Sequence, residues 1–144
     1  MAVRGIRGAI VVPQDNPEAI CAATRELLLA ILLANPTLQI TDIASVFFTT
    51  TSDLNSAYPA QAARQLGWTA VPLMCAVEIP VPGSLPRCIR ILLHWNTDLS
   101  QEAVRPVYLG AAASLSSDLA QPTGAVAAFI PESQEVSNDG NNEK

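Results

Sequence analysis

The chain has 144 residues, of which 49% are hydrophobic and only 15% are charged, and its formal net charge is −5. This length fits a single domain with a core of its own, and the negative charge argues against nucleic acid as a partner, because phosphate backbones bind clustered positive charge. A monomer of this size needs charged residues to cover its large surface, so the apolar composition favours burial of part of that surface against other subunits.

The cations are almost all of one kind. Every cation except the terminal Lys144 is an arginine, and arginine is preferred where a planar fork must meet a carboxylate or a phosphate. A general preference of the source genome for arginine could also account for much of this bias. The composition therefore points to a small carboxylate as ligand and leaves the genomic explanation open.

The three cysteines, Cys21, Cys75 and Cys88, form no CxxC pair and have no metal-ligand spacing. The first residues lack the apolar segment of a signal peptide, so we expect reduced thiols and a cytoplasmic location. The run over residues 27–34 is eight apolar residues long, whereas a membrane-spanning helix needs about 20. We expect a buried helix there and no association with a membrane.

The opening residues AVRGIRGAIVV are rich in β-branched residues and glycine and predict a strand. Asp15 or Asn16 then caps a helix that carries Pro17 in its first turn and ends before Pro36. The further predicted elements are, in chain order, a strand over 43–51, a short helix over 60–66 ended by Gly67, strands over 73–79 and 88–95, and a weaker strand over 107–109.

Strands that alternate with helices indicate an α/β (α+β) fold, a single domain with a mixed β-sheet packed by helices. We assign residues 1–120 to this domain. From residue 121 onward the sequence is polar and loses its periodicity, which predicts a flexible C-terminal tail over 121–144.

The side chains present exclude several kinds of chemistry. His94 is the one histidine of the sequence, so a two-histidine metal site within a single chain is impossible, and we expect no metal site. The interior of the chain has no lysine for a Schiff base or a Walker-type phosphate loop, and no GxGxxG motif is present. We expect His94 to be a packed or interface residue, and the chemistry that remains is electrostatic.

Two charges lie inside apolar segments that predict strands. Glu78 lies in LMCAVEI and Arg90 in CIRILLHW, where a charge is costly unless it is paired or hydrogen-bonded. An antiparallel hairpin of these strands would make Glu78 and Arg90 diagonal neighbours on one face, within reach of one ligand. A plain ion pair between the two strands is the alternative, and the charges alone do not decide between them.

The spacing of Cys75 and Glu78 is an odd number, so a regular strand points their side chains to opposite faces. One pocket can use both only if a bulge intervenes or if neighbouring subunits each supply one of them, which favours sites shared between subunits. Arg7 is a better ligand candidate than Arg4, because it shares its face of the first strand with the small residues Val3, Ala9 and Val11.

Five motifs occur in order over about residues 3–119: VRGIRGA, DL-x-x-x-(aromatic)-PA-x-A-x-R-x-L-x-W, VP-x-x-C-x-x-E, CIR and RPVYL. Together they resemble the monofunctional, trimeric α/β class of chorismate mutase. The resemblance implies a homotrimer that forms a pseudo-α/β-barrel with its sites at subunit interfaces. It also implies the intramolecular [3,3] rearrangement of chorismate to prephenate in aromatic amino acid biosynthesis, with no cofactor and no covalent intermediate.

The resemblance implies roles for particular residues. Arg90 meets the ether oxygen of the breaking C–O bond and a substrate carboxylate, and with Glu78 it forms the catalytic pair. Arg7 and Tyr108 contact the carboxylate of the enolpyruvyl side chain. Glu78 and the region of Cys75 hold the ring hydroxyl.

The remaining implied residues line the pocket and its mouth. Tyr58 replaces the family's usual phenylalanine as an apolar wall, Arg64 lies on a mobile helix over the mouth, and Leu115 is a substrate-binding residue at the end of the final apolar segment. Two positions depart from the family pattern: Gln61 stands where a lysine is common, and Ser116 where an arginine is common. We expect both departures to weaken capture of the substrate dianion more than the rearrangement.

Two other functions remain open at this point. A non-catalytic trimeric α/β module could bind a small carboxylate metabolite through the same arginines. A different isomerase or lyase could act on a related enol-ether acid. The ordered motifs favour the mutase over both.

Overall fold

A computed structural model describes residues 1–115 of the chain. It divides the chain into two compact units, Met1–Ala112 and Ala113–Lys144, and the first unit is the one treated below. The predicted tail over 121–144 lies outside the described residues. The described helices and strands are β1 (Ala2–Val11), α1 (Pro17–Ala34), β2 (Ile43–Thr50), α2 (Ala60–Gln65), β3 (Leu73–Val77), β4 (Cys88–Thr97) and β5 (Val107–Leu109).

The five strands form one mixed sheet in the order β3-β2-β4-β1-β5. β4 is antiparallel to both β1 and β2, whereas β3 runs parallel to β2 and β5 parallel to β1. The predicted mixed sheet packed by helices is therefore confirmed. The predicted hairpin of β3 and β4 is wrong, because β2 lies between them and pairs with both.

Helix α1 begins at the cap that the sequence left undecided. The Asn16 side chain accepts a hydrogen bond from the Ala19 amide at 2.8 Å, and Pro17 follows at the first helical position. Asp15 is not the cap, because its carboxylate accepts hydrogen bonds from the Asn55 and Ser56 amides instead. At the other end the Asn35 backbone N–H donates to the Ile31 carbonyl, so the helix ends before Pro36 as predicted.

One side of α1 covers one face of the sheet. Gly8 makes this close contact possible, since a Cβ there would lie 3.1 Å from Ile31 Cδ1 and 3.3 Å from Leu27 Cδ1. The helix expected to be buried over residues 27–34 is buried on one side only in the single chain, because Leu33 is 83% exposed. Among the residues that the structure describes, no helix is long and apolar enough to cross a membrane.

The core lies between α1, α2 and the sheet face that they cover, which we call the covered face. Along β4 the covered face is apolar from Ile89 to Trp95, and the alternate residues point to the other side, which we call the open face. The open face is where the candidate site lies. The covered-face residues of β4 are Ile89, Ile91, Leu93 and Trp95.

Candidate active site

A single row of residues crosses all five strands on the open face. Residues directly opposite each other in neighbouring strands share a face, and the register aligns Ala76 with Thr49, Thr49 with Arg90, Arg90 with Ala9, and Ala9 with Tyr108. Arg90 thus stands in the middle of the sheet, on the strand with most of its backbone paired on both sides. Such a position holds a side chain more rigidly than a loop does.

The second row lies two residues away from the first on four of the strands. It aligns Met74 with Phe47, Phe47 with Leu92, and Leu92 with Arg7. Arg7 therefore lies on the open face beside Arg90, as the alternation of small residues in β1 predicted.

A cleft of about 520 Å³ opens on this face. Its lining includes Arg7, Arg90 and Glu78 together with Thr49 and the apolar side chains of the second row. The predicted proximity of Glu78 and Arg90 to one cavity is therefore right, although the hairpin from which it was deduced is wrong. Glu78 reaches the cleft because it follows β3 at the edge of the same face, with its backbone N–H bonded to the Thr50 carbonyl at 2.8 Å.

The Arg90 guanidinium has an unused donor. Its Nε is buried and has no hydrogen-bond partner within the described part of the chain. Over residues 1–115 the one ion pair within 4 Å joins the Met1 amino group to Asp98, so Glu78 and Arg90 form no plain ion pair. Buried donors are nearly always satisfied in native proteins, and an orphaned one beside a cleft indicates a ligand with an oxygen acceptor.

Cys88 lies two residues before Arg90 on the same face of β4 and was not predicted to belong to the site. Burial raises the pKa of the Cys88 thiol, and the neighbouring Arg90 guanidinium opposes this shift only in part. The thiol is therefore neutral near pH 7 and does not cancel the charge of Arg90.

Thr49 is a second site residue that the sequence did not indicate. Its hydroxyl donates to Glu78 Oε2 at 2.5 Å. Three threonines stand in succession at positions 49–51, and neither their type nor their spacing distinguishes the one that faces the cleft. Only the sheet register does so.

Tyr58 and Cys75 line a different cavity, of about 590 Å³, together with Gln61 and the loop before α2. Cys75 also packs against the core on the covered side. The expectation that Cys75 and Glu78 point to opposite faces agrees with this arrangement. In a single chain, Cys75 and Tyr58 do not line the cleft that holds Arg90 and Glu78.

Three other predicted site residues are not among those that line the 520 Å³ cleft. Tyr108 is half-buried and stands in the row of Arg90 at the β5 edge. Arg64 is exposed on α2 and lines neither cavity. Leu115 belongs to the second compact unit, and Ser116 lies outside the described residues, so the roles given to these two residues stay predictions.

A network of carboxylates holds the loop that carries Tyr58. Asp15 Oδ1 accepts hydrogen bonds from the Asn55 amide at 3.1 Å and from the amide and hydroxyl of Ser56. The hydrogen bond of the Ser56 hydroxyl lowers the pKa of Asp15. Asp53 accepts from the Thr51 hydroxyl, which lowers its pKa, and from the Arg87 amide.

Within residues 1–115 no group of three or more histidine, cysteine or acidic side chains could hold a metal ion. His94 instead shares a hydrogen bond of 3.0 Å with the Ser45 hydroxyl and packs edge-on against Phe47. The described polar chemistry of the cleft is that of two guanidinium groups, a carboxylate and the Thr49 hydroxyl.

The family model described as chorismate mutase type I matches residues 3–119. The chain belongs to the chorismate mutase type I family. The resemblance deduced from the five ordered motifs is thereby confirmed, and with it the assignment of the chain to the isomerases.

Individual relatives within the chorismate mutases agree with this assignment. Chorismate mutase AroH of Thermus thermophilus is 60% identical over 117 residues, which cover 81% of this chain and 96% of the relative. Chorismate mutase AroH of Bacillus subtilis (strain 168) is 40% identical over 120 residues, covering 83% and 94%. The solved structure of a chorismate mutase from Clostridium thermocellum superposes with a TM-score of 0.74 at 45% identity, covering 76% of this chain and 97% of that one.

Proposed function

We propose that this protein catalyses the intramolecular rearrangement of chorismate to prephenate in the cleft on its open face, with Arg90 as the group that stabilises the transition state. The observation that carries the proposal is the buried, unpartnered Nε of Arg90 beside a cleft that Arg7 and Glu78 also line. Membership of the chorismate mutase type I family supplies the reaction.

Arg90 acts on the bond that breaks. As the C–O bond of chorismate stretches, negative charge grows on the ether oxygen, and a guanidinium already in place binds this oxygen more strongly in the transition state than in the ground state. Its position in the centre of the sheet means that the donor does not have to reorganise when the charge appears. The neutral Cys88 thiol beside it leaves its positive charge available to the substrate.

The other polar groups orient the substrate. Arg7 shares the cleft with Arg90, and Tyr108 stands at the β5 end of the same row, so both suit the enolpyruvyl carboxylate. Glu78 accepts a hydrogen bond from the ring hydroxyl. A substrate held in its compact conformation by these contacts needs less further loss of entropy to react.

The active protein is a homotrimer that forms a pseudo-α/β-barrel. Support comes from the open face, where large apolar side chains stay uncovered in the single chain: Val3 is 54%, Met74 59%, Phe47 39% and Leu92 38% exposed. Met74, Phe47 and Leu92 stand side by side in the register, and an exposed apolar surface of this kind marks an interaction site. Copies of the chain that pack their open faces together bury it.

The trimer also explains why the predicted site residues fall into two cavities. Arg7, Glu78 and Arg90 line one cavity, and Tyr58 and Cys75 line the other. We assign the first set to one subunit and the second to its neighbour, with one complete site at each interface. Tyr58 then forms an apolar wall, and Arg64 lies near the mouth. The protein acts in the cytoplasm, in line with its free cysteines.

The test is to mix purified protein with chorismate and follow the loss of its diene absorbance, with prephenate identified by chromatography. We expect turnover by the parent protein and a loss of at least ~10²–10³ in kcat for Arg90→Ala, the cost typical of one lost oxyanion-type donor. Near-normal turnover by Arg90→Ala would refute the role of Arg90. Binding of chorismate without consumption would identify a non-catalytic module instead.

The assembly is tested separately by sedimentation equilibrium. A mass three times that of the 15.2 kDa chain is expected. A second test mixes Arg90→Ala and Cys75→Asp chains, each of which we expect to be inactive by itself. Mixed trimers contain an interface at which one subunit supplies an unchanged Arg90 and its neighbour an unchanged Cys75. Activity therefore returns if sites are shared between subunits and does not return if each subunit holds a whole site.

A further inference from the structure

We propose that Thr49 is a positioning residue for Glu78. Its hydroxyl holds one carboxylate oxygen so that the other is presented to the ring hydroxyl of the substrate. This inference rests on the role given to Glu78 in the proposed function and goes beyond it, because neither the motifs nor the family resemblance assigns a role to position 49.

The Glu78 side chain needs such a partner because of where it lies. It follows Val77, the last residue of β3, so the paired strand does not extend to it. Its backbone is held by one hydrogen bond to Thr50, and the residues after it, Ile79 to Gly83, are exposed. Within the described residues no cation lies within 4 Å of its carboxylate. The Thr49 hydroxyl is the side-chain contact that fixes it.

Thr49 is well placed to give rigid support. It lies in β2 with β3 paired on one side, opposite Ala76, and β4 paired on the other, opposite Arg90. A β-branched side chain in a strand has few accessible χ1 rotamers. The hydroxyl is thus held between the two groups that are to act on the substrate, and its distance to both is set by the sheet.

The hydrogen bond from Thr49 also leaves one oxygen of the Glu78 carboxylate free to bind the substrate. A hydroxyl has one hydrogen to donate, and the Thr49 hydroxyl donates it to Oε2. Oε1 is left to accept a hydrogen bond from the ring hydroxyl. The neighbouring threonines have other contacts: the Thr50 hydroxyl donates to the Leu54 carbonyl, and the Thr51 hydroxyl donates to Asp53. Neither can take over from Thr49.

The experiment compares Thr49→Val, which removes the hydroxyl at nearly constant shape, with Thr49→Ser, which keeps it. Steady-state kcat and KM for chorismate are measured for both, and each change is also made in a Glu78→Ala background. Ser45→Ala serves as a matched control, since it removes a hydroxyl from the same face of β2 at a residue that does not line the cleft. Sedimentation and thermal unfolding verify that each variant is folded and assembled.

We expect Thr49→Val to lower kcat/KM by about tenfold or more, in line with the loss of a hydrogen bond to a charged group, and Thr49→Ser to restore most of it. In the Glu78→Ala background Thr49→Val should have little further effect, because the two residues act as a unit. A chorismate analogue without the ring hydroxyl should show the same insensitivity to Thr49→Val.

Three results would overturn the inference. If Thr49→Val lowered kcat/KM equally in the parent and in the Glu78→Ala background, the role of Thr49 would be purely structural. Full activity of Thr49→Val together with an impaired Glu78→Ala would also overturn it, while leaving the proposed function of the cleft intact. If Thr49→Val does not fold, Thr49→Ala in the same two backgrounds gives the same comparison. Full activity of Glu78→Ala would remove the role of Glu78 itself, and the inference with it.

Discussion

The covered and open faces of the sheet are built from the same strands and have different tasks. Along β4 the covered face carries Ile89, Ile91, Leu93 and Trp95, all buried, and the open face carries Arg90, Leu92 and His94, all partly exposed. The covered face is complete within one chain. The open face is not complete, because it leaves apolar side chains uncovered and a guanidinium N–H unsatisfied. We assign stability to the first face, and we propose that catalysis and assembly belong to the second.

The test with the largest expected effect replaces each of two adjacent residues of β4 by alanine in separate variants. Arg90→Ala should lower kcat by at least ~10²–10³ with little change in the free energy of unfolding. Ile89→Ala on the covered face should cost about 2–5 kcal/mol of that free energy and leave kcat of the folded protein nearly unchanged. Chemical denaturation and chorismate turnover of both variants measure this. If each variant loses both properties equally, the two faces are not functionally separate.

A change of Leu92 tests whether the open face is completed by other copies of the chain. Leu92→Asp places a charge among the apolar side chains of that face, and a buried unpaired charge is costly, so we expect dissociation to monomers with loss of activity. Leu33→Asp is the matched control, because Leu33 is 83% exposed on α1. Sedimentation equilibrium reports the outcome, and an intact trimer with Leu92→Asp would contradict the assigned interface.

Two glycines of β1 test the packing on each face. A Cβ on Gly8 would lie 3.1 Å from Ile31 Cδ1 and 3.2 Å from the Val107 carbonyl oxygen, so Gly8→Ala should overpack the core and destabilise the chain by about 1–3 kcal/mol. A Cβ on Gly5, facing the open side, would meet Leu92 Cδ1 at 3.4 Å. Gly5→Ala should therefore lower the free energy of unfolding, measured by urea denaturation, by less than Gly8→Ala does. Equal losses would mean that the faces are equally tightly packed.

Changes at Gln61 test how the proposed site captures the substrate rather than how it catalyses the rearrangement. It is exposed and lines the cavity that holds Tyr58, where a cation would attract the substrate dianion. Gln61→Lys, alone or with Ser116→Arg, should lower KM at low salt with kcat nearly unchanged, and added salt should reduce the gain by screening. Gln65→Lys, on the same short helix, provides a control. An unchanged KM in the double variant would remove this explanation.

The smallest effect concerns Asp15 and pH. The hydrogen bond of the Ser56 hydroxyl lowers the pKa of Asp15 below its ordinary value of 3.8. The ionised carboxylate therefore stabilises the fold above that value, and its contribution is lost as the pH falls through the lowered pKa. The melting temperature of Asp15→Asn should lie below that of the parent at neutral pH, and the difference should shrink in acid. A difference that grows in acid would contradict the assigned contact.

Several parts of the fold were predictable because local chemistry decides them. The start of α1 follows from a side-chain cap with Pro17 behind it, and its end from Pro36, which disfavours helical backbone at the residue before it. Arg7 was placed on the correct face by the alternation of β1. Arg90 and Glu78 were singled out because charges in apolar segments are costly without partners.

Other parts could not be deduced from local chemistry. An apolar strand does not indicate which other strand it pairs with, so β3 and β4 were paired with each other when β2 lies between them. Thr49 looks like Thr50 and Thr51 until the register places it opposite Arg90. The raised pKa of the Cys88 thiol depends on burial by residues that are distant in the sequence.

The amino-acid sequence by itself determined the class of fold and the family, and it singled out the charged residues to which we assign the reaction, because these follow from patterns of residue type along the chain. The tertiary structure alone decided which residues meet: the row that runs from Ala76 through Thr49 and Arg90 to Tyr108, and the division of the site residues between two cavities. The physical reason is that strand order and register arise from the joint burial of distant apolar segments, which no short stretch of sequence encodes.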